Sequence, residues 1–296
     1  MYLFSGDPYR PTDLTIHLQR TQPEIDYAVV DGAPNPLTLD NLDQINPDVF
    51  LTAKDDVTSN PAWLLGTAPD STNKISDAIP AAIIVADKGN NTVDVFYMYF
   101  YSFNWGGIVN IIDKNFGNHV GDWEHNMIRF VDGVPTAAWY SQHADGEAFV
   151  WEALQKNGDR PYAYSANGSH ATYATAGTHD HTIPGLDVDF DILLADDCDT
   201  GLTWDPTFSA YYYTYDAATN SFGTYDNSTP TAYLNFAGKW GDEHYPDSDN
   251  RQEDLLGLGK VYKYADGPTG PKDKNLNRQN VCPDSVEDCK IRKVLT

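Results

Sequence analysis

What most restricts the fold of this chain is a succession of short β-prone runs between residues 79 and 240, each cut off by Gly, Asp, Asn or Pro. They occupy residues 81–85, 93–103, 125–131, 137–142, 148–151, 161–164, 209–215 and 232–236. Val, Ile, Phe and Tyr suit a pleated, half-buried surface, and turn residues at this spacing break the chain into hairpins. The pattern predicts an all-β fold: an antiparallel β-sandwich with short helices and long irregular loops as cover. Residues 79–240 are expected to hold the sandwich core. Residues 1–61 read as helical and irregular cover, with a helix from Pro11 through Gln19 capped by Thr12 and another over 37–42. Residues 241–296 read as an irregular C-terminal wrap entered at the turn Asp266-Gly267-Pro268. With no internal repeat or low-complexity linker, the 296 residues are expected to form a single domain.

The net charge of -24 makes nucleic acid an unsuitable partner, because phosphates repel such a surface and no basic stripe offsets it. No apolar stretch approaches the length of a membrane span, and no signal peptide follows Met1. The chain therefore reads as cytosolic, or as a mature secreted domain with Met1 added. Cys282 and Cys289 bracket a short loop that a disulfide would close, leaving Cys198 as a buried thiol. Asn90-Asn91-Thr92, Asn167-Gly168-Ser169 and Asn227-Ser228-Thr229 fit the N-glycosylation pattern, with Pro230 against the third. These features favour an extracellular glycoprotein, with vacuolar or cytoplasmic residence as the alternative.

Six of the eight histidines fall between Asn118 and Thr182. The densest segment is Gly117-Asn118-His119-Val120-Gly121-Asp122-Trp123-Glu124-His125. On a strand, period two places Asp122, Glu124 and Asn126 on one face and Trp123, His125 and Met127 on the other. Asp132-Gly133 is a favoured hairpin pair; it sets Val131 opposite Val134, Glu124 opposite Ser141 and Asp122 opposite His143, unless Pro135 forces a bulge. Two adjacent carboxylates need a proton or a cation between them. Oxygen donors with one or two imidazoles suit calcium, magnesium or manganese better than zinc. The bland alternative pairs Asp122 with Arg129 and leaves Glu124 solvated. A second cluster, His170 with His179 and His181, has weaker zinc-like spacing. His143, His170 and Glu147 are candidate acid–base residues.

The runs Phe116-Gly117-Asn118-His119-Val120-Gly121-Asp122-Trp123-Glu124-His125, Tyr140-Ser141-Gln142-His143 and Tyr164-Ser165-Ala166-Asn167-Gly168-Ser169-His170-Ala171-Thr172-Tyr173 resemble the vacuolar protein sorting-associated protein 62 family in its fungal secreted form. The likeness covers nearly the whole chain, from Asp7-Pro8-Tyr9 to Pro268-Thr269-Gly270-Pro271. A more distant likeness is to the necrosis-inducing cytolysins, whose Gly-His-Arg-His-Asp-Trp-Glu heptad reads here Asn118-His119-Val120-Gly121-Asp122-Trp123-Glu124. Those proteins are β-sandwiches that hold a divalent cation and recognise sugar headgroups of membrane sphingolipids. The resemblance implies His119, Asp122 and Glu124 as metal ligands, with Asn104 or Asp113 in place of an upstream Asp. Val120 and Gly121 depart from the heptad, which counts against cytolysis while leaving the cation site in place. The expectation is a monomeric protein that engages a glycan or glycolipid headgroup through a cation, with Tyr101, Trp105, Tyr173 and His125 touching the ligand; Trp123 and Trp139 are read as core. The alternatives are a metal-dependent hydrolase or lyase acting on a polysaccharide or phosphodiester, and a structural protein without ligand.

Overall fold

The computed structural model describes residues 1–109, 113–143, 145–181, 194–255 and 261–295, with residues 180, 181 and 194 described by their backbone alone. Its centre is an eight-stranded sheet. In chain order the strands are β1 (Ala81–Gly89), β2 (Thr92–Asn104), β3 (His119–Val131), β4 (Val134–Gln142), β5 (Asp145–Val150), β6 (Ala210–Asp216), β7 (Ser221–Thr224) and β8 (Ile291–Arg292). They lie in the order β7-β6-β1-β2-β3-β4-β5-β8. Strands β1 to β5 follow one another antiparallel, as expected for hairpins. The sheet is nevertheless mixed, because β6 runs parallel to β1 and β8 parallel to β5. Both arrive by long connections rather than tight turns, and only long connections permit parallel pairing.

Period two along β2 sorts the two layers. Phe96, Met98 and Phe100 join Trp123, Met127 and Trp139 in the main core, packed against Leu14 and Leu18, Leu51, Tyr233, Trp240, Leu276 and Val281. Burial of each large side chain there stabilises the fold by about 1.5–3 kcal/mol. Tyr99 and Tyr101 point to the opposite face and pack with Leu3 and Trp204. A second sheet of four two-residue strands covers that face, in the order Thr172–Tyr173, Tyr164–Ser165, Tyr2–Leu3, Leu202–Thr203. The all-β architecture with short helices and loops thus agrees with the sequence pattern.

Local assignments differ in places. The helix is Leu14–Arg20, capped by Asp13, whose Oδ1 accepts from the Thr15 and Ile16 amides; the Thr12 hydroxyl instead donates to the Arg10 carbonyl. The helix expected over 37–42 reduces to one 3-10 turn at Leu42–Gln44. Residues 232–236, whose pattern predicts a strand, instead form a short helix, Ala232–Asn235, whose single turn buries Ala232, Tyr233 and Leu234 together; a strand would have turned every second one outward. Cys282 and Cys289 form the disulfide and Cys198 is a buried thiol. Among the described residues no helix is long and apolar enough to cross a membrane.

Candidate functional site

The site grows from the pairing of β2 with β3, which sets Tyr101 opposite Asp122, Tyr99 opposite Glu124 and Asn104 opposite His119. Asp122 and Glu124 share the face expected of them. The hairpin begins in the expected register, Val131 opposite Val134, but it slips by one residue between Pro135 and Ala137, so that Arg129 faces Ala137 and Asn126 faces Tyr140. The bulge at Pro135 therefore breaks the expected pairings of Glu124 with Ser141 and of Asp122 with His143. His143 reaches the site instead from the turn after β4, at φ 50°.

Asp122 is answered by an imidazole. Its Oδ2 lies 2.8 Å from His170 Nδ1, and His170 Nε2 lies 3.4 Å from Asp7 Oδ2, an ion-pair distance. Nδ1 meets an oxygen that can only accept, and Nε2, which makes no hydrogen bond, faces a second carboxylate at ion-pair distance, so the surroundings favour the doubly protonated ring. Burial opposes that charge, but the contacts to Asp122 and Asp7 outweigh it and push His170 up to about 9. The ring stacks on Tyr101 at 3.7 Å and 5°. Asp7 also accepts from the Gly168 and Tyr9 amides. Gly168 is required there: its φ is 77°, and a Cβ would come 2.6 Å from the Trp105 carbonyl. Like His143, His170 has positive φ, 57°.

Above this buried trio lies a cavity of about 320 Å³. Asn104, His119, Asp122, Glu124, His143, Ser169 and Lys274 give it a polar lining, and Phe116, Val261 and Pro268 an apolar one. Glu124 is 7% exposed, and its Oε2 has no hydrogen-bond partner. Burial, then the neighbouring Asp122, raises its pKa well above the ordinary carboxylate value. Burial lowers the pKa of His119, and its Nδ1 lies 2.7 Å from the Gly121 carbonyl. A carbonyl only accepts, so Nδ1 carries the proton and Nε2 the lone pair. Asn104 Nδ2 donates to the Gly117 carbonyl, which leaves Oδ1 as its free acceptor. Among the described residues, no three His, Cys, Asp or Glu side chains already form a metal cage.

Two residues of the lining, His143 and Ser169, are held by Asp196, which carries no distinguishing signal in the sequence. It accepts from Ser169 Oγ at 2.6 Å and Tyr173 Oη at 2.7 Å, and lies 2.6 Å from His143 Nε2. Burial opposes its ionisation, but these three contacts hold the carboxyl well below the usual range.

Several nominated residues lie elsewhere. Tyr101 and Tyr173 are 1% and 4% exposed and are covered by protein, so neither offers a ring face to a ligand. Trp105 packs on Gly168. His125 lies on the opposite face of β3, in the core, with Nε2 3.2 Å from Arg278 Nη2. Glu147 pairs with Arg292 outside the cavity. His170 acts on the cavity only through Asp122. Asp113 is exposed in a turn. His179 stacks on Tyr173 and contacts the Thr175 carbonyl, well separated in role from His170; the side chain of His181 lies outside the described residues. Asp7, Asp196 and Lys274 are the site residues that sequence reasoning missed.

A sequence profile of the vacuolar protein sorting-associated protein 62 family matches residues 82–259. The chain belongs to this family. It is 35% identical over 316 residues to the putative vacuolar protein sorting-associated protein TDA6 of Saccharomyces cerevisiae, covering 95% of this chain and 66% of that protein. It is 38% identical over 250 residues to vacuolar protein sorting-associated protein 62 of the same yeast, covering 79% of this chain and 52% of the relative. The chain thus spans about half to two thirds of the length of these relatives. No solved structure matches it. The family segment contains Asn104, His119, Asp122, Glu124, His143, Ser169, His170 and Asp196, whereas Asp7 and Lys274 lie outside it. The family's shared segment accordingly carries most of the cavity, and the flanking segments complete it.

Proposed function

We propose that the cavity binds a hydroxyl-rich headgroup, that of a glycan or glycolipid, through a divalent cation held by His119, Asp122, Glu124 and Asn104. The observation that carries this reading is Glu124 Oε2, buried in a polar cavity with no donor. A native fold rarely strands such an atom unless something else supplies its partner. The donor set fits an ion. Asp122 keeps Oδ1, Asn104 keeps Oδ1 and neutral His119 keeps the Nε2 lone pair, while their other polar atoms are tied to His170, Gly117 and Gly121. Fixing the second atom of each ligand is how proteins orient metal donors. Three oxygen donors and one imidazole suit calcium or magnesium better than zinc. Such an ion would bring the spread donors together and offer its remaining positions to hydroxyl groups.

The heptad likeness to the necrosis-inducing cytolysins supports the same three ligands, and Val120 and Gly121 argue against membrane lysis. The disulfide supports an oxidising setting, secreted or lumenal, and the names of the relatives refer to vacuolar protein sorting.

The test is equilibrium dialysis of the purified chain against calcium or magnesium, followed by elemental analysis. A stoichiometric ion retained by the wild type and lost in Glu124→Gln is expected. A wild type that retains none overturns the reading. A hydrolytic role is favoured by one observation, the contact of cavity-lining His143 with the buried Asp196 carboxylate. Chelator-sensitive turnover of a polysaccharide or phosphodiester, abolished in His143→Ala, would mark an enzyme rather than a binder.

A further inference from the structure

We infer that Lys274 selects an acidic headgroup, a sugar or polyol bearing a phosphate, sulfate or carboxylate beside its hydroxyls. This deepens the reading of the cavity given above and rests on it. Lys274 comes from the C-terminal wrap, far in sequence from the other polar residues of the cavity, and it is the sole Lys or Arg among the described residues that line it. Its charge is felt at Glu124, where it favours ionisation. Yet no ion pair joins Lys274 to Glu124, to Asp122 or to any other described carboxylate. Asp122 already has His170. The cavity therefore presents two unmatched groups of opposite preference, an acceptor at Glu124 and an ammonium at Lys274. A ligand that satisfies both carries hydroxyls or a bridging cation at one end and an anionic group at the other.

The lysine is positioned rather than dangling. It ends the 3-10 turn Pro271–Asp273, and its amide donates to the Pro271 carbonyl. Its own carbonyl accepts from Arg278 Nη2 at 2.7 Å. Arg278 is fully buried, lies 4.9 Å over the Phe96 ring and also donates to the Asn275 and Val281 carbonyls. The Cys282–Cys289 disulfide closes the next loop. These contacts fix the point at which the Lys274 side chain enters the cavity lining, while its ammonium keeps the freedom to reach a ligand. A cavity of about 320 Å³ lies near the lower end of the range of roughly 300–1,000 Å³ typical of small-molecule sites, so it admits about one ring and its substituent.

The experiment uses a glycan array of matched pairs, each neutral sugar or polyol printed beside its phosphorylated, sulfated or uronic counterpart, probed in calcium with wild type, Lys274→Gln and Lys274→Arg. The wild type is expected to prefer the acidic members by about tenfold or more, the scale of one charge-assisted hydrogen bond. Lys274→Gln should lose that preference while still binding a stoichiometric calcium ion at saturation and keeping its melting temperature, and Lys274→Arg should keep most of the preference. Equal binding of neutral and acidic members, or a preference that survives in Lys274→Gln, overturns the inference while retained calcium leaves the cation reading standing. Loss of calcium retention in the wild type overturns the cation reading itself. A wild type that retains calcium and binds no array member overturns the headgroup reading and this inference together. Repeating the comparison with vesicles carrying the preferred acidic glycolipid against its free headgroup distinguishes a lipid source from a soluble one.

Discussion

His170 is held between carboxylates from distant parts of the sequence, Asp7 and Asp122, and that arrangement gives the site its most direct single-residue predictions. Asp7→Ala leaves His170 paired with Asp122 but removes the second carboxylate and strands the Gly168 and Tyr9 amides, so it should destabilise the protein by about 1–3 kcal/mol in urea denaturation. The folded pKa of His170, about 9, lies above the ordinary 6.5. Its stabilising contribution is therefore fully present below pH 6.5 and lost as the pH rises toward 9. The urea midpoint of the wild type should fall across that window, and less steeply in His170→Asn; equal slopes would remove the imidazolium from the account. His17 works in the other direction. Buried against Ser102 and the Trp240 carbonyl, it is lowered to about 4, so stability should fall as the pH drops from 6.5 toward 4. At this scale strand parity was legible: Asp122 and Glu124 do share a face. Asp7 was not, because nothing local links it to a histidine more than 160 residues away. Asp122 beside Glu124 needs a neighbouring positive charge, and the fold supplies one as the His170 imidazolium. The unmet demand thus passes to Glu124.

Among the elements, β3 depends on Gly121. It stands between His119 and Asp122 at φ 67°, and an added Cβ would lie 2.1 Å from the Trp240 carbonyl. Gly121→Ala combines backbone strain with a clash against main chain, so a loss of at least about 2 kcal/mol is expected, together with loss of ion retention. A melting temperature equal to that of the wild type would show that the close approach is not required. The C-terminal wrap depends on its disulfide. Replacing both Cys282 and Cys289 by Ser should cost about 2–3 kcal/mol through the freedom regained by the unfolded loop. The strands β1 to β4 were legible because alternation and turn residues are local signals. The hairpin register was not settled, because the bulge at Pro135 depends on how β4 is received by its neighbours. The helix at Ala232–Asn235 escaped for a similar reason: its apolar run fits strand or helix, and the core decides.

The whole molecule is acidic, at net charge -24, and sets its donor cluster near one end of the β2–β3 pair, closed by a wall from the far C-terminal segment. That assembly explains why the sequence pointed to β3 but not to Asp196 or Lys274, which the fold brings in from other elements. If an ion sits among His119, Asp122 and Glu124, paramagnetic manganese will locate it directly. In NMR spectra of the chain labelled at histidine, substoichiometric manganese should broaden the ring signals of His119 first, those of the adjacent His143 and His170 next, and those of His244 and His17 least. Magnesium in excess should restore them, and Glu124→Gln should abolish the effect. Uniform broadening across all histidines, or none at His119, would contradict the account.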